Sequence, residues 1–251
     1  MEIREIRNDK IELRPPKFRV DRRLTKKEIA PFPNVSGFFN IVVGAPGAGK
    51  SSCIVSSLCN KKIYGGVFDK VYVVCPASSR YSLRQNPFEC LDQDKVFDEL
   101  SLMTLHKIEE GLEESHQEDR MEGGQTFSLL YMDDVAQALK GQGGQVLRML
   151  SNLILNRRHK NCSIILATQY WNALPLQLRK AASDVTICHR PINSKELSAI
   201  LEELFATDKA KALEIINFVF RKKYDKLFVN LDSQTFYRNL NRLQITDTDP
   251  T

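Results

Sequence analysis

Lys50 and Ser51 end the octapeptide GAPGAGKS (44–51), whose spacing G-x-x-x-x-G-K-[ST] suits the binding of phosphate. A polyphosphate needs many donors at close range. Gly44, Gly47 and Gly49 let the backbone take positive φ and turn N–H groups toward an anion with no Cβ in the way. Lys50 supplies a cation for the β- and γ-phosphates, and the Ser51 hydroxyl supplies a ligand for Mg²⁺. The predicted nucleotide-binding set is Gly44, Ala45, Pro46, Gly47, Ala48, Gly49, Lys50, Ser51 and Ser52, with ATP and Mg²⁺ as its ligands.

Hydrolysis needs further groups. Leu129-Leu130-Tyr131-Met132-Asp133-Asp134 is an apolar run that ends in two carboxylates. Asp133 suits Mg²⁺ held through a water, because a hard, hydrated cation prefers carboxylate and phosphate oxygen. Asp134, one residue on, could polarise the attacking water as general base. SIILATQ (163–169) brings Thr168 and Gln169 to the end of another apolar run. In a sheet that sets this run beside the strand before the glycine loop, Gln169 would approach the γ-phosphate and the attacking water. Phosphoryl transfer also accumulates charge on the equatorial oxygens, which arginines offset. Arg157, Arg158 and Arg179 are the candidates, with Arg148 less suited because it sits mid-helix. An arginine that reaches a neighbouring subunit's site would couple hydrolysis to ring assembly.

These groups need a frame to hold them. FFNIVV (38–43) reads as a buried strand and KSSCIVSSLCNKK (50–62) as the helix after the loop, whose N-terminus adds partial positive charge. KVYVVCP (70–76), TFSLLYMDD (126–134), SIILATQ (163–169) and DVTIC (184–188) read as further strands. Residues 88–119 are expected to hold a short helical stretch, a strand at 102–105 and an acidic helix or loop. The segment 143–159 places Val146, Leu147, Leu150, Leu153 and Ile154 on one helical face. Helices follow at 193–206, where Asn193 and Glu196 have capping-box spacing, and at 207–220. KLFVNLDSQTFYRN (226–239) reads as a hairpin turning near Asp232 and Ser233. The alternation predicts an α/β fold, a mostly parallel sheet flanked by helices, with C-terminal helices and a β-hairpin. Residues 1–36, with four prolines and no clear periodicity, are expected to form an arm or cap ahead of a single domain spanning 37–251.

The bulk numbers agree with a globular protein. With 251 residues, 42% hydrophobic and 27% charged, the chain can bury a substantial core, and no apolar run is long enough to span a bilayer. The N-terminus does not read as a signal peptide, so an intracellular site of action is expected. Six cysteines without a C-x-x-C pair read as reduced core thiols, and the scattered histidines argue against a protein-held zinc site. Net charge is +5, concentrated in 1–30, NRRHK (156–160) and RKKYDK (221–226), while 107–124 is strongly acidic. That asymmetry suits a protein with one face toward a polyanion such as nucleic acid.

Taken together, GAPGAGKS, LLYMDD, NRRHKNCSIILATQ and LPLQLRK resemble the poxvirus-type DNA-packaging ATPases of the FtsK–HerA superfamily, found in large DNA viruses, virophages and related transposons. The likeness covers about residues 37–240, including the closing hairpin with Phe236 and Arg238. It implies a RecA/FtsK-like P-loop NTPase fold and an ATP-driven pump that threads double-stranded DNA into a preformed capsid. The implied setting is a homo-oligomeric ring of five or six subunits, in contact with capsid proteins, in the host cytoplasm, a viral factory or the virion. By position, Lys50 and Ser51 bind phosphate and Mg²⁺, Asp133 binds Mg²⁺, Asp134 takes the catalytic carboxylate role and Gln169 the polar sensor role. Many superfamily members carry glutamate where this chain has Asp134. Other readings share parts of this constellation. A helicase or translocase of replication or conjugation has the same catalytic groups. An assembly factor would bind nucleotide without turnover, and a nucleoside kinase would need a lid with paired arginines.

Overall fold

The computed structural model of the protein describes residues 29–35, 37–80, 87–141 and 144–245. In chain order the elements begin with β1 (Phe39–Val43), α1 (Lys50–Cys59), β2 (Lys70–Val74), the single turn α2 (Ala77–Arg80) and β3 (Val96–Phe97). Then come α3 (Leu102–Glu122), β4 (Ser128–Asp133), the single turn α4 (Ala138–Gly141), α5 (Gln145–Asn156) and β5 (Cys162–Thr168). The chain continues through α6 (Leu176–Ala181), β6 (Asp184–Ile187), α7 (Ser194–Leu204) and α8 (Lys209–Val219). It closes with the strands β7 (Leu227–Asn230), β8 (Thr235–Arg238) and β9 (Asn241–Arg242).

The strands form one sheet in the order β3-β2-β4-β5-β1-β6-β7-β8-β9. The pairings from β3 through β6 are parallel, and those from β6 to β9 are antiparallel. All the parallel strands therefore deliver their C-terminal ends to one edge of the sheet. The connection leaving β1 runs toward β2 on one side, whereas that leaving β5 crosses to β6 on the other. Such a divergence opens a crevice at the strand ends, where ligands of open α/β sheets bind.

Alternation along β1 assigns the two faces. Phe39, Ile41 and Val43 point into a cluster with Leu105 and Ile108 of α3, Leu150 of α5 and Ile200 of α7. Phe38 and Val42 point the other way, to Ile54 of α1 and Tyr64. Ile29 and Val35 belong to this second cluster, and the Tyr64 hydroxyl donates to Pro33 O at 2.6 Å. The described part of the expected arm is thus packed onto the sheet, and residues 1–28 of it lie outside the described residues.

The strand expected at 102–105 is not formed. That segment is the first turn of α3, and the acidic stretch after it is helical as well. Ser101 caps the helix, its hydroxyl accepting from Thr104 N at 3.1 Å, and Leu105, Ile108 and Leu112 recur at helical spacing to cover the sheet. Gly111 belongs there because a Cβ at that position would run into the Tyr72 hydroxyl on β2. The capping box at 193–196 is half made. Asn193 Oδ1 accepts from Lys195 N at 2.9 Å, but the Glu196 carboxylate is used elsewhere. The cysteines also divide: Cys75, Cys162 and Cys188 are buried and burial pushes each thiol up to about 12, whereas Cys59 and Cys90 are exposed, contrary to the core reading. Among the described residues no helix is long and apolar enough to cross a membrane.

Candidate nucleotide site

The loop between β1 and α1 takes positive φ at two of its three glycines, 73° at Gly47 and 85° at Gly49, but not at Gly44. Gly44 is pinned from both sides. Its N–H donates to Thr168 O on β5 at 3.1 Å, and a Cβ on it would sit 3.0 Å from Cys188 Cβ. Gly49 stands at the N-cap of α1 with no side-chain cap, so the first-turn N–H groups are left for an anion. The Lys50 ammonium donates to the carbonyls of Gly44 at 2.6 Å and Ala45 at 3.3 Å.

Asp133 ends β4 beneath this loop. Its Oδ2 accepts from the Tyr131 hydroxyl at 2.9 Å and from Ser51 Oγ at 3.4 Å. Burial pushes the Asp133 carboxyl above the usual range, while the Tyr131 bond, Lys50 and Ser51 pull it back and Asp134 adds to the rise. A buried carboxylate that shares a hydroxyl with the loop serine suits a small divalent cation. Among the described residues no cluster of three or more His, Cys, Asp or Glu could hold a metal alone. Ser51 and Asp133 fit Mg²⁺ in the way it usually binds, with the remaining positions left to phosphate and water.

The register of the sheet sets the flanking groups. β5 lies between β4 and β1, pairing Ala167 with Asp133 and Thr168 with Val43. Gln169, half-buried, therefore leaves the sheet between the acid strand and the glycine loop, the placement on which its sensor reading depended. Asp134 is exposed and left-handed at φ 54°, a conformation that aspartate tolerates better than most residues. The chain beyond Gln169 is anchored. Trp171 N donates to Glu196 Oε1 at 2.5 Å, and Trp171 Nε1 donates to Glu203 Oε2 at 3.1 Å.

Arg157 and Arg158 are not brought to the loop. They lie before the start of β5, at the opposite edge of the sheet from Lys50. Arg157 is 8% exposed, donates through Nη1 to Ile154 O at 2.8 Å and has no partner for Nε among the described residues. Burial lowers its pKa, helped by Arg158 and opposed by Asp232 and Asp184. Arg158 is exposed and packs its backbone against Gly37. Arg179 pairs with Glu203 in its own chain and sits 5.6 Å over the Trp171 ring.

Residues not singled out from sequence complete the surroundings. Tyr131 is two positions before Asp133, so strand periodicity alone would have put both on one face. The basic run 221–226, part of the charge asymmetry, packs beside the glycine loop. There residues 45–48, His189, Arg190 and the turn from Arg221 to Asp225 line a cavity of about 330 Å³.

A mostly parallel sheet with a phosphate loop after its central strand and an acid at the end of β4 defines the fold of a P-loop NTPase. Solved structures narrow the likeness. The genome packaging NTPase B204 from Sulfolobus turreted icosahedral virus 2, in complex with ATP-gammaS, matches with a TM-score of 0.58 at 18% identity, covering 82% of this chain and 98% of that one. EssC (ATPases 2 and 3) from Geobacillus thermodenitrificans matches with a TM-score of 0.56 at 14% identity, covering 85% of this chain and 41% of that one. The cytoplasmic domain of the type VII secretion ATPase EccC from Thermomonospora curvata gives 0.52 and 16%, covering 83% and 24%. At 14–18% identity these likenesses show a shared fold. No protein-family model and no curated protein sequence matches the chain.

Proposed function

We propose that this protein hydrolyses ATP to drive double-stranded DNA into a viral capsid. The observation that carries the hydrolytic part is the meeting of Ser51 Oγ and Asp133 Oδ2 at 3.4 Å under the Lys50 loop, with Gln169 emerging between them and β1. Ser51 and Asp133 would hold Mg²⁺, which would supply charge neutralisation for the phosphates. Lys50 exchanges its bonds to the Gly44 and Ala45 carbonyls for bonds to phosphate oxygens. Asp134 takes a proton from the attacking water, and Gln169 orients that water. The packaging part is supported by the sequence motifs and by a fold that spans nearly all of B204.

The working assembly in this reading is a ring of five or six subunits joined head to tail, with capsid proteins as further partners, in the host cytoplasm, a viral factory or the virion. A head-to-tail contact is heterologous and makes a ring where its rotation closes. It would bring the edge that carries Arg158 in one subunit to the edge that carries Lys50 in the next. Arg158, exposed where Arg157 is turned inward, is then the finger supplied in trans. The test is steady-state ATPase activity measured with and without double-stranded DNA across a range of protein concentration. Activity should rise more than linearly with concentration and be stimulated by DNA of any sequence, more weakly as salt increases. Turnover indifferent to DNA would leave an NTPase and remove the packaging reading.

A further inference from the structure

The cavity beside the glycine loop lies on the β6 side of β1, opposite the side where β5 delivers Gln169. We propose that it holds the nucleobase and ribose, and that it accepts purines and pyrimidines with little discrimination. This rests on the reading of the loop as a nucleotide site. A triphosphate whose γ end points to Gln169 and Asp134 leaves its nucleoside pointing the other way, past residues 45–48. There the chain leaving β6 supplies His189 and Arg190, and the turn ahead of β7 supplies Arg221, Lys222, Lys223 and Tyr224.

Tyr224 offers the stacking surface. It is 53% exposed, and its ring edge comes within 3.6 Å of where a Gly49 Cβ would stand, with the Lys223 ammonium 4.9 Å over the ring. Its backbone is left-handed, with φ of 70°. The turn is held in shape by Asp225. Oδ2 accepts from Arg221 N at 3.0 Å, Lys222 N at 2.8 Å and Arg238 Nη2 at 2.9 Å, and Oδ1 accepts from Asn239 Nδ2 at 3.1 Å. Burial works to raise that carboxyl, but these four donors hold it well below the usual carboxylate range.

The same bonds decide the selectivity. Among the described residues Asp225 is the only carboxylate lining the cavity, and both its oxygens are engaged. The other charged side chains there are Arg190, Arg221, Lys222 and Lys223, which are donors only. A base amino group finds no free carboxylate among them, while the ring nitrogens or carbonyl oxygens that every base carries can accept from these flexible cations. Every base has a π face, and stacking on an aromatic ring tolerates them all.

The test is hydrolysis kinetics with ATP, GTP, CTP, UTP and inorganic triphosphate, comparing the wild type with Tyr224→Gly and Tyr224→Phe. Glycine removes the ring while keeping the positive φ free of strain. Wild-type KM values for the four nucleotides should agree within about tenfold, and Tyr224→Gly should raise all four by about tenfold with kcat kept, as loss of one stacking contact implies. The affinity for inorganic triphosphate should not change, and Tyr224→Phe should restore the wild-type KM. A preference of about a hundredfold for one base, or nucleotide KM values unmoved by Tyr224→Gly, overturns the proposal. Failure of the underlying nucleotide reading looks different: triphosphate and nucleotides alike would then be indifferent to Lys50→Ala.

Discussion

Each end of the parallel sheet buries an aspartate, and the two are treated differently. Asp184 opens β6 at the N-terminal edge, where its oxygens take the Ser183 hydroxyl at 2.8 Å and the Asn230 amide at 2.9 Å. Those donors are neutral and fixed in the sheet, since Ser183 Oγ also accepts from Phe39 N at 3.0 Å. Asp133 ends β4 at the C-terminal edge, with one good bond to Tyr131 and a longer one to Ser51. Burial raises both carboxyls. At the first edge the demand for partners is met within the strands. At the second it is met only in part, by Tyr131 on the same strand and, at longer range, by Ser51 at the end of the phosphate loop, so the negative charge stays available to a cation. The cations differ likewise: Arg157 is buried on its own chain, whereas Lys50 rests on loop carbonyls that it can leave.

The largest expected effect joins the two edges. Arg158→Ala should bind ATP but lose about 10³- to 10⁵-fold in hydrolysis, the usual worth of a finger supplied in trans. Mixed with Asp134→Asn, it should regain activity, because some interfaces in a mixed ring then pair an intact acid with an intact arginine. Mixed rings, verified by subunit exchange, that stay inactive would separate the edges again.

Next in size is Lys50→Ala. Removing the one cation of the loop should weaken ATP binding and cut turnover by at least about a hundredfold, as loss of a preorganised charge-stabilising donor does. Isothermal titration and steady-state assays read both effects, and unchanged ATP affinity in a folded variant would deny the C-terminal edge its role.

The carboxylates of that edge should then part company. Asp134→Asn should bind ATP·Mg²⁺ nearly normally while hydrolysing it about a hundredfold more slowly, the loss expected of a general base. Asp133→Asn should instead raise the Mg²⁺ concentration needed for half-maximal activity. Matching Mg²⁺ titrations for the two variants would show that they do not divide the work.

The last effect belongs to the N-terminal edge and falls on stability rather than on turnover. Burial pushes the Asp184 carboxyl from 3.8 up to about 6, against the pull of Ser183 and Asn230. Between those values the folded chain binds the proton more tightly than the unfolded chain, so stability falls as pH rises through about 4 to 6 and is level above. The loss from this group is about 3 kcal/mol by pH 7. Asp184→Asn mimics the protonated form and should flatten that part of the profile. Urea midpoints at pH 4, 5, 6 and 7 measure it; an unchanged slope would mean that Asp184 ionises at no cost.

What the sequence determined by itself was whatever is encoded in contiguous residues. GAPGAGKS contains its own loop geometry, because glycines permit the positive φ that aims backbone N–H groups at one point, and the alternating apolar runs imply a parallel sheet. LLYMDD marks a strand end with its acids for the same reason. The tetrapeptide 102–105 suggests a strand from sequence because a short apolar run has no period of its own. Only its cap at Ser101 and its packing through Leu112 make it helix. The remaining decisions needed the tertiary structure. Nothing local to Arg179 announces Glu203, and nothing in NRRHK says that it stands at the far edge of the sheet from Lys50. Nor does RKKYDK reveal that it lies against the glycine loop, since that contact follows from β7 turning antiparallel to β6. Where a charged side chain ends up depends on strand order and register, long-range pairings that spacing along the chain does not carry.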